Sequence, residues 1–185
     1  MAHQEQRSFC EAVKRTFPRF FRNVSVLEVG SLDINGSIRD LFQDCDYTGI
    51  DLGEGKGVDV ICPGNIYRKG ERDIYDVVVS TECFEHDMYF RETFQNMYDL
   101  LKPGGLFFFT CASDGRPEHG TKRTDGGYSA PLLGNMGSEW EDYYMNVNES
   151  HIRDIMNIEE SFIGASFQYK KYPGDLYFWG IKNIQ

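Results

Sequence analysis

Apolar positions along the chain follow two rhythms that alternate. Over residues 8–17, Phe9, Val13 and Phe17 recur every fourth position and the run stops at Pro18, which predicts a leading amphipathic helix. Short apolar runs rich in β-branched and aromatic residues then follow at 25–29, 47–50, 58–61, 75–80 and 106–111, and read as fully buried strands. Between the last two lies a helical pattern over 88–101, with Phe90, Phe94, Met97 and Leu101 on one face and Asp87 as N-cap. Lys102-Pro103-Gly104-Gly105 is expected to stop that helix and turn the chain into the next strand. A helix near 149–157 and two strands at 165–172 and 176–181 close the chain. The last two are joined at Pro173-Gly174-Asp175, hairpin chemistry that makes the final strand antiparallel. The predicted fold is therefore α/β: a doubly wound, mostly parallel seven-stranded sheet with an antiparallel last strand and helices on both faces.

With 185 residues, one domain over 1–185 is expected. The stretch 113–150 departs from the alternation. It is polar, rich in Gly, Asp and Thr, and then aromatic at Trp140, Tyr143 and Tyr144, and reads as an insertion that serves as lid or acceptor site.

A formal charge of -10 makes the surface repel phosphate backbones and weighs against nucleic acids or anionic membranes as partners. The basic cluster Lys14, Arg15, Arg19 and Arg22 reads as a solvated helix face. His3, Glu5 and Arg7 stand where a secretory signal needs apolar residues, and no run approaches the ~20 apolar residues of a membrane span, so a soluble, cytoplasmic protein is expected. The five cysteines form no Cys-x-x-Cys pair, which points to neither a disulfide framework nor a zinc site.

In an open parallel sheet, ligands collect at the carboxyl ends of the strands. Those ends carry Glu28 and Gly30, Asp51, the run Cys62-Pro63-Gly64-Asn65, then Ser80-Thr81-Glu82, and Cys111-Ala112-Ser113-Asp114; acids dominate and no lysine or arginine is present. Such a pocket suits a ligand with hydroxyls and positive charge and suits a diphosphate poorly. The turn Gly30-Ser31-Leu32-Asp33-Ile34-Asn35-Gly36, with its second glycine expected to open a helix, departs from G-x-G-x-x-G, and no G-K-[ST] follows it. A nucleoside-like ligand without phosphates is expected, and S-adenosylmethionine fits.

Four segments in this order and spacing carry a family resemblance: Leu27-Glu28-Val29-Gly30, Tyr47-Thr48-Gly49-Ile50-Asp51, Asp76-Val77-Val78-Val79-Ser80-Thr81-Glu82-Cys83-Phe84-Glu85-His86 and Leu100-Leu101-Lys102-Pro103-Gly104-Gly105-Leu106. The chain resembles the Rossmann-like, class I S-adenosylmethionine-dependent methyltransferases, continuously from residue 24 to about 113 and more weakly to the end. The resemblance implies that Glu28 organises the cofactor's methionine end, that the backbone at Gly30 and Ser31 approaches it, and that Asp51, with Leu52 beside it, takes both ribose hydroxyls. It places Ser80, Thr81 and Glu82 along the methionine side with His86 just beyond. Where many members carry an acid for the adenine amino group, this chain has Pro63, leaving Gly64, Asn65 and local backbone for that contact.

Methyl transfer is an in-line displacement, and an acceptor hydroxyl needs a base. His119, within Arg116-Pro117-Glu118-His119-Gly120-Thr121, and His151 are the candidate catalytic residues; His86 reads equally well as a structural residue bracing the loop. No ligand spacing suggests a metal, and none is assigned. The aromatic residues of the insertion suit either a stacking wall or core cover. The absence of an Asn-Pro-Pro-Tyr motif after the fourth strand makes DNA an unexpected substrate. The expected function is methyl transfer from S-adenosylmethionine to a small molecule or a sugar or glycan hydroxyl. The alternatives are an RNA or protein methyltransferase, or a non-catalytic cofactor-binding partner subunit.

Overall fold

The structure, a computed structural model, describes residues 4–184. His3, read above as part of the polar start, lies outside the described residues. The seven strands are β1 (Ser25–Val29), β2 (Asp46–Asp51), β3 (Val60–Ile61), β4 (Tyr75–Thr81), β5 (Leu101–Ala112), β6 (Phe162–Lys170) and β7 (Asp175–Lys182), in the order β3-β2-β1-β4-β5-β7-β6. β1 to β5 pair in parallel, and β7 inserts antiparallel between β5 and β6. The reversal between β1 and β4 opens the crevice in which such folds bind ligands.

Alternation along the central strands explains why their sequences are apolar throughout. Val77 and Val79 of β4, with Leu106 and Phe108 of β5, face one layer, where α1 (Gln4–Thr16) contributes Phe9, Cys10 and Val13. Val78, Phe107 and Phe109 face the other, where α2 (Phe90–Leu100) supplies Phe90, Phe94, Met97 and Leu100. Each strand thus buries both of its sides, which an alternating apolar-polar sequence could not do.

Several boundaries differ from expectation, each for a local reason. No α-helix follows the glycine turn: Asp33 Oδ1 accepts from the Gly36 amide at 2.8 Å, Gly36 sits at φ +137°, and only a short turn at Arg39–Leu41 follows. Ile38, Leu41 and Phe42 fill the space beneath it. β3 is a two-residue edge strand rather than a buried one, with Val60 and Ile61 39% and 55% exposed. The Lys102-Pro103-Gly104-Gly105 turn is absorbed into β5 as a bulge, because Tyr75 pairs with Leu101 while Val77 pairs with Leu106. α2 begins two residues later than expected; Asp87 still serves its first turn, accepting from the Tyr89 amide at 2.8 Å and the Thr93 hydroxyl at 2.5 Å. The closing helix expected over 149–157 ends early, as α3 (Glu149–Arg153), and a separate helix α4 (Ile158–Ser161) follows it, its start capped by the Asn157 side chain accepting from the Glu160 amide. β6 begins three residues earlier than the pattern suggested, at Phe162, whose ring fills the core layer under α2.

Among the described residues no helix is long and apolar enough to cross a membrane.

Candidate active site

A cavity opens at the carboxyl ends of β1, β2 and β4. Its wall includes Glu28, Gly30, Ser31, Asp51, Leu52, Gly64, Thr81, Glu82 and His86, nine of the eleven positions expected to hold the cofactor. The remaining two lie elsewhere: Ser80 is fully buried and donates to the Val29 carbonyl at 2.9 Å, tying β4 to β1, and Asn65 is not part of the wall.

Gly30 is required by geometry. Its φ is +79°, and a Cβ there would stand 2.6 Å from the Cys83 Cβ and 2.7 Å from its sulfur, so only a bare backbone lets β1 turn past the β4 loop. Beside it Glu28 is buried and accepts a 2.8 Å hydrogen bond from the Tyr47 hydroxyl. Burial drives its carboxyl up to about 8, with the Tyr47 bond opposing in part. Asp51 accepts from the Leu32 amide through Oδ2 at 2.9 Å and from the Leu52 amide through Oδ1 at 2.7 Å. Those two bonds fix its rotamer and leave each oxygen a further lone pair. Desolvation raises its pKa, and the two amides pull against that rise. The Ser31 hydroxyl is buried at the wall with no hydrogen-bond partner. Glu82 turns out of β4 at φ +52°, an unusual backbone for a side-chain-bearing residue, held by its amide donating to the Thr110 carbonyl at 2.8 Å.

The wall extends beyond these positions. Gln6 of α1 and the loop from Ile34 to Ser37 close one side, and the segment after β5 provides a roof of Ala130, Pro131, Leu133 and Trp140. Asn135 anchors that roof by donating to the Leu52 carbonyl at 3.0 Å. Trp140 had been noticed as one of the insertion's aromatic residues; nothing local to the sequence marks Gln6, which reaches the cavity only because α1 packs there.

His151 is placed away from the cavity. Its Nδ1 accepts from the Asn148 amide at 3.2 Å, while the Asn148 side chain accepts from the His151 amide, so the residue completes a capping box on α3. His119 lies beside His86, ring centroids 5.4 Å apart and nearly perpendicular, with the Tyr144 ring against both. Its Nδ1 meets the Pro117 carbonyl at 3.0 Å, which assigns the N–H to that nitrogen and leaves Nε2 buried with a free lone pair. Burial pushes His86 down to about 3, and it holds His119 below the usual range as well.

The wall thus presents buried acids, bare backbone at Gly30 and, among the described residues, no lysine or arginine. That chemistry fits a ribose and a cationic amino-acid moiety and does not fit a diphosphate. A seven-stranded sheet of this order with this crevice is the fold of class I S-adenosylmethionine-dependent methyltransferases. The chain belongs to the methyltransferase-domain family, which its sequence matches over residues 1–158.

Solved structures with the same fold are distant in sequence. The CurJ carbon methyltransferase aligns with a TM-score of 0.65 and 12% identity, covering 96% of this chain and 54% of that one. The Burkholderia thailandensis 1,6-didemethyltoxoflavin-N1-methyltransferase, with 1,6-didemethyltoxoflavin and S-adenosylhomocysteine bound, gives 0.62 and 16%, covering 96% and 78%. The Haemonchus contortus phosphoethanolamine N-methyltransferase 2, with phosphomonomethylethanolamine and S-adenosylhomocysteine, gives 0.64 and 17%, covering 95% and 52%. The chain spans about half the length of the first and third of these. No curated protein sequence matches it.

Proposed function

We propose that the chain transfers a methyl group from S-adenosylmethionine to a small molecule or to a sugar or glycan hydroxyl. The observation that carries this reading is the acid-lined, roofed cavity, whose wall runs from Glu28, Gly30 and Asp51 to His86, with His119 packed against the His86 ring behind that wall. The cofactor supplies the electrophilic methyl group when bound.

The chain's residues do the positioning. Asp51, its rotamer held by two amides, accepts hydrogen bonds from both ribose hydroxyls. Glu28 faces the amino-acid end, where a cation restores its charge. Ser31, with its unsatisfied hydroxyl, and the backbone at Gly30 approach the same end; Thr81 and Glu82 line the path toward the transferred methyl. Leu52 and Gly64 flank the nucleoside. The roof residues Pro131, Leu133 and Trp140 exclude water, which strengthens each polar contact beneath them.

The imidazole pair supplies acceptor activation. The His119 lone pair is unpartnered and shielded, a state in which it acts on an incoming hydroxyl, whereas His151 is engaged in its cap. Neutral or cationic acceptors suit the acidic wall. Small acceptors also suit the enclosed roof, and two of the structural neighbours hold small molecules.

The test is to incubate the purified chain with S-adenosylmethionine and a panel of hydroxylated small molecules and follow S-adenosylhomocysteine. His119→Ala is expected to lower kcat by roughly 10²-fold or more, as loss of an acid-base group does, with cofactor affinity unchanged. His151→Ala is expected to keep wild-type kcat. Failure of the wild-type chain to bind S-adenosylmethionine in calorimetry would defeat the proposal.

A further inference from the structure

Glu85, His86 and His119 come together although the sequence separates the last from the others by more than thirty positions. One ligand atom from each lies within 4.8 Å of the others. Glu85 is 0% exposed and its carboxyl meets no side-chain partner, only the backbone of its own residue and of Ala112; His86 is 8% exposed and meets only the Tyr143 backbone; His119 Nε2 is buried and unpartnered. Buried polar side chains almost always have strong partners, and three of them gathered within 4.8 Å of one another suit a ligand that satisfies them together. Burying carboxylates among apolar neighbours is costly without a compensating charge. Glu85 lies close enough to Glu82 to feel its charge, and no lysine or arginine among the described residues lines the adjoining cavity.

We propose that Glu85, His86 and His119 form a binding site for a divalent first-row transition cation of the zinc type, beside the cavity at its His86 wall. Two imidazoles and a carboxylate are the donors such cations choose, and three protein ligands leave a position open for a substrate oxygen. Donor atoms around zinc stand about 3.3 Å apart, so side-chain rotations that close the trio by roughly 1.5 Å at most complete the site. The Pro117 carbonyl already holds Nδ1–H of His119, the outer contact that aims Nε2 at a metal.

The loop that carries His119 is built for this approach. Gly120 sits at φ +67°, and a Cβ there would stand 2.7 Å from Cε1 of His86, so glycine is what allows the loop to press against the His86 ring. The Gly120 amide donates to Asp125, and the Thr121 hydroxyl donates to Glu118, each closing the loop on itself. Glu85 and His86 lie on the Phe84–His86 turn after β4, so a cation here fastens the roof segment to the sheet. With the cation bound, the His119 Nε2 lone pair is a metal ligand and no longer a direct base, and the cation takes over activation by polarising the acceptor hydroxyl; this use rests on the proposed reaction, whereas cation binding itself does not depend on that reading.

The test uses the untagged full chain, freed of metal with a chelator and then titrated with Zn²⁺ by calorimetry and with Co²⁺ by visible absorption. One equivalent is expected to bind, with Co²⁺ d–d bands of low-symmetry nitrogen-oxygen coordination. Proteolytic cleavage within 113–148 is expected to slow when Zn²⁺ is present. His119→Ala and Glu85→Gln should weaken Zn²⁺ at least tenfold, on the order of what even outer contacts to a metal contribute. S-adenosylmethionine affinity, measured on the same samples, should be unchanged, which also shows that the variants are folded. Absence of stoichiometric Zn²⁺ and Co²⁺ binding by the wild-type chain overturns the site, as do folded variants that bind like the wild type. Cation binding without S-adenosylmethionine binding would sink the cofactor reading and leave the site standing.

Discussion

Glu28→Gln tests the electrostatics at the start of the cavity. Burial lifts the Glu28 carboxyl from 4.5 to about 8, so between those pH values the folded chain holds a proton that the unfolded chain releases. An acid whose folded pKa is raised binds more protons when folded, and stability falls as pH rises through that window. At 1.36 kcal/mol per pH unit, the ligand-free wild type gives up ~2 kcal/mol by pH 6 and ~5 kcal/mol by pH 9, order-of-magnitude values. Glutamine has the shape of the protonated acid, and its amide oxygen still accepts from the Tyr47 hydroxyl, so the variant lacks this penalty. Urea denaturation of both proteins without ligand should therefore give near-equal stabilities at pH 5 and a growing advantage for the variant up to pH 9. The same group predicts proton release when S-adenosylmethionine binds the wild type at pH 7, seen as a buffer-dependent binding enthalpy, and none for Glu28→Gln. A stability difference flat from pH 5 to 9 would show that the carboxyl ionises freely, and would refute the assignment of a desolvated acid facing the cofactor's cationic end.

Gly30→Ala places a Cβ 2.6 Å from that of Cys83 at a left-handed φ. A left-handed cost of ~1–2 kcal/mol and an overpacking cost of ~1–3 kcal/mol should lower Tm by roughly 5–15 °C and weaken cofactor binding. Adding Cys83→Gly should recover the packing part only; a single variant that melts like the wild type would contradict this account. Asp51→Ala should lose most S-adenosylmethionine affinity in calorimetry, and unchanged affinity would remove Asp51 from the ribose site. Arg116→Met should destabilise by ~3–5 kcal/mol in urea denaturation, because Arg116 pairs at 2.7 Å with the fully buried Asp175, and an effect under 1 kcal/mol would show the pair to be dispensable.

The central strands, the spacing of α2 and the closing hairpin were legible in the sequence because each is local. A run such as Asp76-Val77-Val78-Val79-Ser80 buries both sides wherever it lies in a parallel sheet, and Phe90, Phe94 and Met97 share a helical face whatever they pack against. Glu28, Gly30 and Asp51 were legible for a related reason: a strand's end defines where its next residues project. Less was visible where long-range packing decides. Val60 and Ile61 look like buried strand residues, yet β3 pairs only with β2 and ends as an exposed edge. Ser80 looks like a wall residue until its hydroxyl is seen spent on β1. His151 looked like a candidate base until Asn148 enclosed it in a cap.

By itself, then, the sequence determined the sheet, its two apolar layers and the kind of cofactor, since a periodic pattern and an acid after a strand carry their meaning within a few residues. The sequence marked 113–150 as a lid, but only the tertiary structure decided which residues complete the cavity, Gln6 from α1 and the roof from Ala130 to Trp140, and that His119 is brought against Glu85 and His86. Those residues meet through irregular chain with no period, whose course is set by single contacts such as Asn135 on Leu52 and Gly120 on His86.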